Sequence, residues 1–157
     1  MIEQGQSLPQ ATLSELTSEG MVNHQVNELF ANKKVVLFAV PGAFTPTCSE
    51  SHLPGFVALA DKIKAKGVDM IACVSVNDAF VMKAWGESQN ASELKMLADG
   101  DASFTRAIGL DMDTQAFGGI RSQRYAMIIE NGVVTTLNVE APKQFELSKA
   151  ETILELL

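Results

Sequence analysis

The 157 residues are 46% hydrophobic and 20% charged, with eleven glycines and five prolines, a folding composition of a size for one compact domain over residues 1–157. The formal net charge is -7 and the 12 Lys and Arg are scattered, which argues against nucleic acid as a partner, since that binding needs a basic footprint. The longest apolar run, 35–41, is too short to cross a bilayer, and the start MIEQGQSLPQATLSEL lacks the basic and apolar regions of a secretory signal. A cytoplasmic protein away from membranes is expected. Two cysteines and two histidines without C-x-x-C or H-x-x-x-H leave little material for a structural zinc and argue against a disulfide framework of the secreted kind.

In chain order, residues 34–40 (KVVLFAV) are nearly all apolar, as a strand buried on both faces requires. Leu53, Phe56, Val57, Ala60 and Ile63 then recur at helical spacing, and 68–76 (VDMIACVSV) repeats the buried-strand pattern. Together they predict a β-α-β unit with parallel strands and a right-handed crossover. Asp78 is placed to cap a second helix with Phe80, Val81, Ala84 and Trp85 on its apolar face. A short helix over 103–108 should stop at Gly109. Residues 125–130 and 133–139 flank Asn131-Gly132, the strongest short hairpin signal. Ser148 and Glu151 form a capping box for a last helix, whose apolar face is Ala150, Ile153, Leu154 and Leu157. This order predicts an α/β protein, a three-layer sandwich with helices on both faces of a mixed central sheet.

Ligands of open α/β sheets bind beyond the carboxyl ends of the strands, which here means the segment PGAFTPTC, 41–48. Thr45-Pro46 reads as N-cap and first helical residue; Thr47 capping with Glu50 is the alternative. Either way Cys48 falls in the first turn, where its sulfur meets unpaired N–H groups and the positive end of the helix dipole. The thiolate is the nucleophilic form, and a free cysteine titrates near ~8.5. Bringing a thiol to about 6 takes roughly 3 kcal/mol, whereas a helix end supplies about 0.3–1 and ~2 at best. A cation from elsewhere is therefore expected. Arg121 and Arg124 in GGIRSQRYAMII are the candidates, and Arg124 directly precedes a strand. Cys73, mid-strand, reads as a buried residue. His52 shares a helix face with Cys48 and reads as a packing or hydrogen-bonding residue rather than half of a Cys/His pair.

PGAFTPTCSESHLPGF resembles the active-site segment of peroxiredoxins, specifically the peroxiredoxin-5 (plant type II) subfamily. Pro41, Thr45 and Cys48 meet the pattern P-x-x-x-T-x-x-C, and VSVNDAFVMKAWG and RSQRYAMIIENGVVTTLNVE extend the similarity over nearly the whole chain. The resemblance implies a thioredoxin-like fold. It further implies that Cys48 is the peroxidatic cysteine, that the Thr45 hydroxyl bonds the thiolate and peroxide, that Pro41 shields the pocket from water, and that Arg124 rather than Arg121 is the site's arginine. The substrates implied are hydrogen peroxide and small alkyl hydroperoxides, with glutathione, glutaredoxin or thioredoxin as reductant, no cofactor, and a homodimer as the common assembly. Some members carry a C-terminal resolving cysteine, which NVEAPKQFELSKA lacks; Cys73 matches the second cysteine of the plant type II members and is the candidate resolving residue. Two rival readings are a general thiol–disulfide oxidoreductase, opposed by the missing C-x-x-C, and a redox sensor that is oxidised without turnover.

Overall fold

The structure is a computed structural model describing residues 1–157. The chain begins with a hairpin, β1 (Thr12–Thr17) and β2 (Gly20–Gln25), and one helical turn, α1 (Val26–Leu29). Strand β3 (Lys34–Ala39) follows. Its side chains alternate between two cores, Val36 and Phe38 on one face of the sheet and Val35, Leu37 and Ala39 on the other. Burial on both sides is why this stretch is apolar throughout.

A π-helical turn at Cys48–His52 leads into α2 (Leu53–Lys64). Strand β4 (Met70–Ser75) runs parallel to β3, pairing Phe38 with Cys73. Helix α3 (Ala79–Ser88) then crosses to β5 (Lys95–Ala98), parallel to β4. After α4 (Ser103–Ala107) a small two-stranded arm, β6 (Asp111–Asp113) and β7 (Ile120–Ser122), stands apart from the main sheet. Strands β8 (Tyr125–Glu130) and β9 (Val133–Val139) form the hairpin expected at Asn131-Gly132, where both residues have positive φ, 50° and 77°. Helix α5 (Ala150–Glu155) closes the chain. The seven strands lie in the order β2-β1-β5-β4-β3-β8-β9. Residues of α2, α3 and α5 pack in one core, and those of α1 and α4 in the other. The mixed sheet between two helical layers is the predicted three-layer sandwich.

Two local readings are corrected. The buried face of α3 is Ala79, Met82, Trp85 and Gly86, while Phe80 is 65% exposed; a Cβ on Gly86 would meet Met96 Cγ at 2.8 Å, so this glycine lets the helix settle on β5. The capping box at α5 does not form, because Lys149 is the N-cap and the Ser148 hydroxyl donates to Glu140 instead. The sequence reading also lacked β1, β2, β5 and the β6–β7 arm. β5 has only four residues, too few to register a period.

Candidate active site

The segment that leaves β3 turns sharply over the sheet edge. Phe44 has a φ of 64°, a left-handed conformation uncommon for a residue with a bulky side chain. Two residues earlier, the Gly42 carbonyl accepts the Thr45 hydroxyl at 2.7 Å. The Thr45 carbonyl takes the first helical bond, from Ser49 N–H at 2.9 Å, and Pro46 follows in the first turn, where a missing N–H costs nothing. Thr45 is therefore the helix start, and Thr47, itself helical, makes no side-chain cap. The hydroxyl proton of Thr45 is engaged by Gly42; to donate to a peroxide it must turn away from that carbonyl.

Cys48 opens the π turn, in which the Leu53 N–H reaches back five residues to the Cys48 carbonyl. Such turns are rare and recur at functional sites. Here the turn buries both Cys48 and His52. Ser49 Oγ accepts the Trp85 indole N–H at 2.9 Å, which ties α3 to the same turn.

Arg124 arrives from the other side, immediately before β8. Its carbonyl accepts the Glu140 N–H at 2.9 Å, so the ladder of the last hairpin fixes its backbone. One guanidinium nitrogen, Nη2, donates to Cys48 Sγ at 3.1 Å, and the other, Nη1, lies 2.8 Å from His52 Nδ1. Hydrogen bonds to an ionised partner contribute about 1.5–3 kcal/mol, against about 0.3–1 kcal/mol for a helix end. Arg124 thus places a charged donor on the Cys48 sulfur in addition to the helix terminus. Arg121 does not reach Cys48. Its Nε donates to the Gly118 carbonyl and Nη1 to the Val76 carbonyl, tying the β6–β7 arm to the end of β4.

The structure makes His52 part of this group. Nε2 lies 3.0 Å from the Ser148 carbonyl and must donate to it, which leaves Nδ1 as the acceptor for Arg124. Burial, then the charge of Arg124, push its pKa down to about 3. A neutral ring with both nitrogens engaged cannot act as the base for Cys48. Phe38, Phe56 and Phe145 surround the ring, with centroids 4.9, 5.7 and 5.1 Å away. Behind Ser148, one Glu140 oxygen accepts its N–H, its hydroxyl and the Glu146 N–H. Burial raises this carboxyl, but the Ser148 bonds outweigh it and leave the net pKa below the ordinary value. Sequence reasoning missed Glu140, Ser148 and Phe145 as site residues, and no periodic signal marks them.

A cavity of about 540 Å3 opens above the arginine, lined by Pro41, Thr47, Met112, Arg124, Lys143 and Phe145 among others. Cys48 does not line it and has no exposed surface, so a peroxide touches the sulfur only as neighbouring groups yield. Cys73 shares this core face but belongs to the centre of β4. Burial first, then the nearby Cys48 charge, push its thiol well above the ordinary value. Both cysteines are free.

A sheet of this order with one cysteine at the helix start after β3, and no C-x-x-C pair, defines a class of thioredoxin-like proteins whose redox chemistry starts at a single thiol. Residues 3–154 match the family model described as Redoxin. The chain is 51% identical over 160 residues to peroxiredoxin-2E-2, chloroplastic, of Oryza sativa subsp. japonica, covering 98% of this chain and 71% of that one. It is 47% identical over 156 residues to peroxiredoxin-2D of Arabidopsis thaliana, covering 98% and 96%. The crystal structure of reduced Prx3 in complex with hydrogen peroxide from Vibrio vulnificus matches it with a TM-score of 0.98 and 78% identity, over 99% of both chains. The chain belongs to the redoxin family and, within it, to the peroxiredoxins of the plant type II, peroxiredoxin-5-like group. It is a thiol-dependent peroxidase with an antioxidant function.

Proposed function

We propose that Cys48 is the peroxidatic residue and that Arg124 stabilises the charge that moves during its reaction. The observation that carries this reading is the 3.1 Å contact from Arg124 Nη2 to Cys48 Sγ. The thiolate attacks one oxygen of hydrogen peroxide or a small alkyl hydroperoxide. A sulfur–oxygen bond forms as the oxygen–oxygen bond breaks. The departing oxygen takes a proton and leaves as water or an alcohol, and Cys48 is left as a sulfenic acid. Fixed donors aimed at the developing charge lower such a barrier without reorganisation. Thr45, once its hydroxyl turns from Gly42, supplies a further donor, and Pro41 on the cavity wall limits water.

The reductant in this reading is glutathione with glutaredoxin, or thioredoxin. One external thiol displaces water from the sulfenic acid to give a mixed disulfide, and a second releases Cys48 as a thiol. The support is that residues 138–150 hold no cysteine and that the one other thiol is buried with a raised pKa. The assembly in this reading is a homodimer. Phe44, Phe80 and Phe117 are 57%, 65% and 82% exposed. They stand on segments that Arg121 draws together, through the Gly118 and Val76 carbonyls and its approach to Gly42. Exposed aromatic rings on such linked segments suit burial against a second copy. Two free thiols suit a reducing cytoplasm.

The test is peroxide consumption with glutathione–glutaredoxin and with thioredoxin, using Cys48→Ser and Cys73→Ser proteins. The reading requires an inactive Cys48→Ser protein; peroxide turnover without Cys48 would refute it.

A further inference from the structure

The cysteine and arginine do not complete the site by themselves. An arginine side chain has several rotatable bonds and loses substantial rotamer entropy when held. Its Cys48 contact uses one nitrogen only, so the head could swing about that single bond. The second nitrogen is held by His52 at 2.8 Å, which fixes the guanidinium plane. His52 can accept only because its other nitrogen is committed to the Ser148 carbonyl at 3.0 Å. Ser148 is in turn held by its N–H and hydroxyl on Glu140, at 2.9 and 2.7 Å. Glu140 returns to Arg124 through the backbone, N–H to carbonyl at 2.9 Å. The contacts form a closed loop of tertiary bonds.

We propose that His52 is a positioning residue for peroxide reduction: its Nδ1 holds Arg124 Nη1 so that Nη2 stays on Cys48, with Glu140 anchoring His52 through Ser148. The inference rests on the reading of Cys48 as the peroxidatic thiol. The ring stays neutral across the working range, because burial and the arginine charge keep its pKa at about 3. The other titratable groups that feel Arg124 here are Cys48, which takes its hydrogen bond, and the deeper Cys73; the charge of Glu140 bears on His52 itself. The alternative role, ring packing among Phe38, Phe56 and Phe145, needs no nitrogen at all, and substitutions separate the two.

His52→Phe keeps an aromatic ring and loses both hydrogen bonds. In His52→Gln the amide sits at the Nε2 position and loses the bond to Arg124, whereas in His52→Asn the amide oxygen sits at the Nδ1 position and keeps it. The full chain is assayed at equal folded protein for its second-order rate with hydrogen peroxide. In parallel, the pH profile of Cys48 alkylation is followed by peptide mass. His52→Phe and His52→Gln should react about tenfold more slowly with peroxide, with the alkylation midpoint raised by about one pH unit. His52→Asn should recover at least half of that midpoint shift. Glu140→Ala, the second arm should the histidine variants fold poorly, should move rate and midpoint in the same direction by less. A His52→Phe protein with an unshifted midpoint, a His52→Asn protein as impaired as His52→Phe, or an unshifted Glu140→Ala protein each overturns the proposal. Turnover by Cys48→Ser protein, run alongside, would instead overturn the reading of Cys48 beneath it.

Discussion

Cys48 and Cys73 lie on the same face of the sheet and neither exposes any surface, yet their surroundings differ in kind. Cys73 stands between Phe38 of β3 and Met96 of β5, in a strand whose backbone groups are engaged by both neighbours. Burial there acts against the charged form, and the Cys48 charge adds to it, so its thiol is held well above its ordinary pKa. Cys48 is equally buried but begins a helix, and a guanidinium reaches its sulfur. Burial by itself makes a cysteine inert. The same burial beside a fixed cation strengthens that cation's effect, because little water screens it. The two buried thiols thus differ in what the end of β3 and the start of β8 bring together at Cys48.

The comparison breaks most visibly under substitution of the two thiols. Cys48→Ser should abolish peroxide reduction, while Cys73→Ser should keep most turnover with glutathione and glutaredoxin. Steady-state assays at equal folded protein check this, since a hydroxyl in an apolar strand also costs stability. A dead Cys73→Ser enzyme, with a stoichiometric Cys48–Cys73 disulfide after one equivalent of peroxide, would make Cys73 the resolving residue. Next in size, Arg124→Ala should slow peroxide reduction by at least about tenfold, or ~1.4 kcal/mol of barrier. Arg121→Ala should act more mildly on rate and show mainly in thermal stability, since its partners are the Gly118 and Val76 carbonyls. Equal or reversed effects on rate contradict the assignment.

The pH dependence of stability separates the two regions as well, since each should govern one limb. Unfolded His52 takes up its proton near its ordinary value of 6.5, and the folded protein only near 3. The unfolded state binds more protons across that window, so stability should fall as pH drops through it. His52→Phe should flatten this limb in denaturant titrations from pH 7 to 4. For Cys73 the sign reverses. Its pKa is raised well above the ordinary value, so the unfolded thiol ionises first and stability should decline as pH rises past the ordinary value. Cys73→Ser should remove part of the alkaline decline and leave the acid limb alone.

The parts legible in the sequence are those that local chemistry dictates. The apolar runs of β3 and β4, the Asn131-Gly132 turn and the Thr45-Pro46 helix start each carry their own reason within a few residues. The outer hairpin was not legible: of β1's six residues only Leu13 is buried, and β2 is half or fully exposed throughout, so neither has the apolar pattern of a core strand. The α3 face was misread by rotation, because Phe80 is a large apolar residue left in solvent. In the site, the cysteine and the arginine before β8 could be named in advance. The support of that arginine could not, because it joins residues 72 and 96 positions apart. Ser148 looked like a helix cap from sequence, and only the fold brings Glu140 to it.

The central claim, that of two equally buried thiols only Cys48 meets peroxide, is tested most directly by trapping the first oxidation product. The reduced protein is treated with one equivalent of hydrogen peroxide in the presence of dimedone, which captures sulfenic acids, and the two cysteine peptides are weighed. The account predicts near-stoichiometric adduct on Cys48 and none on Cys73. Adduct on Cys73, or an even division between the two, would contradict it.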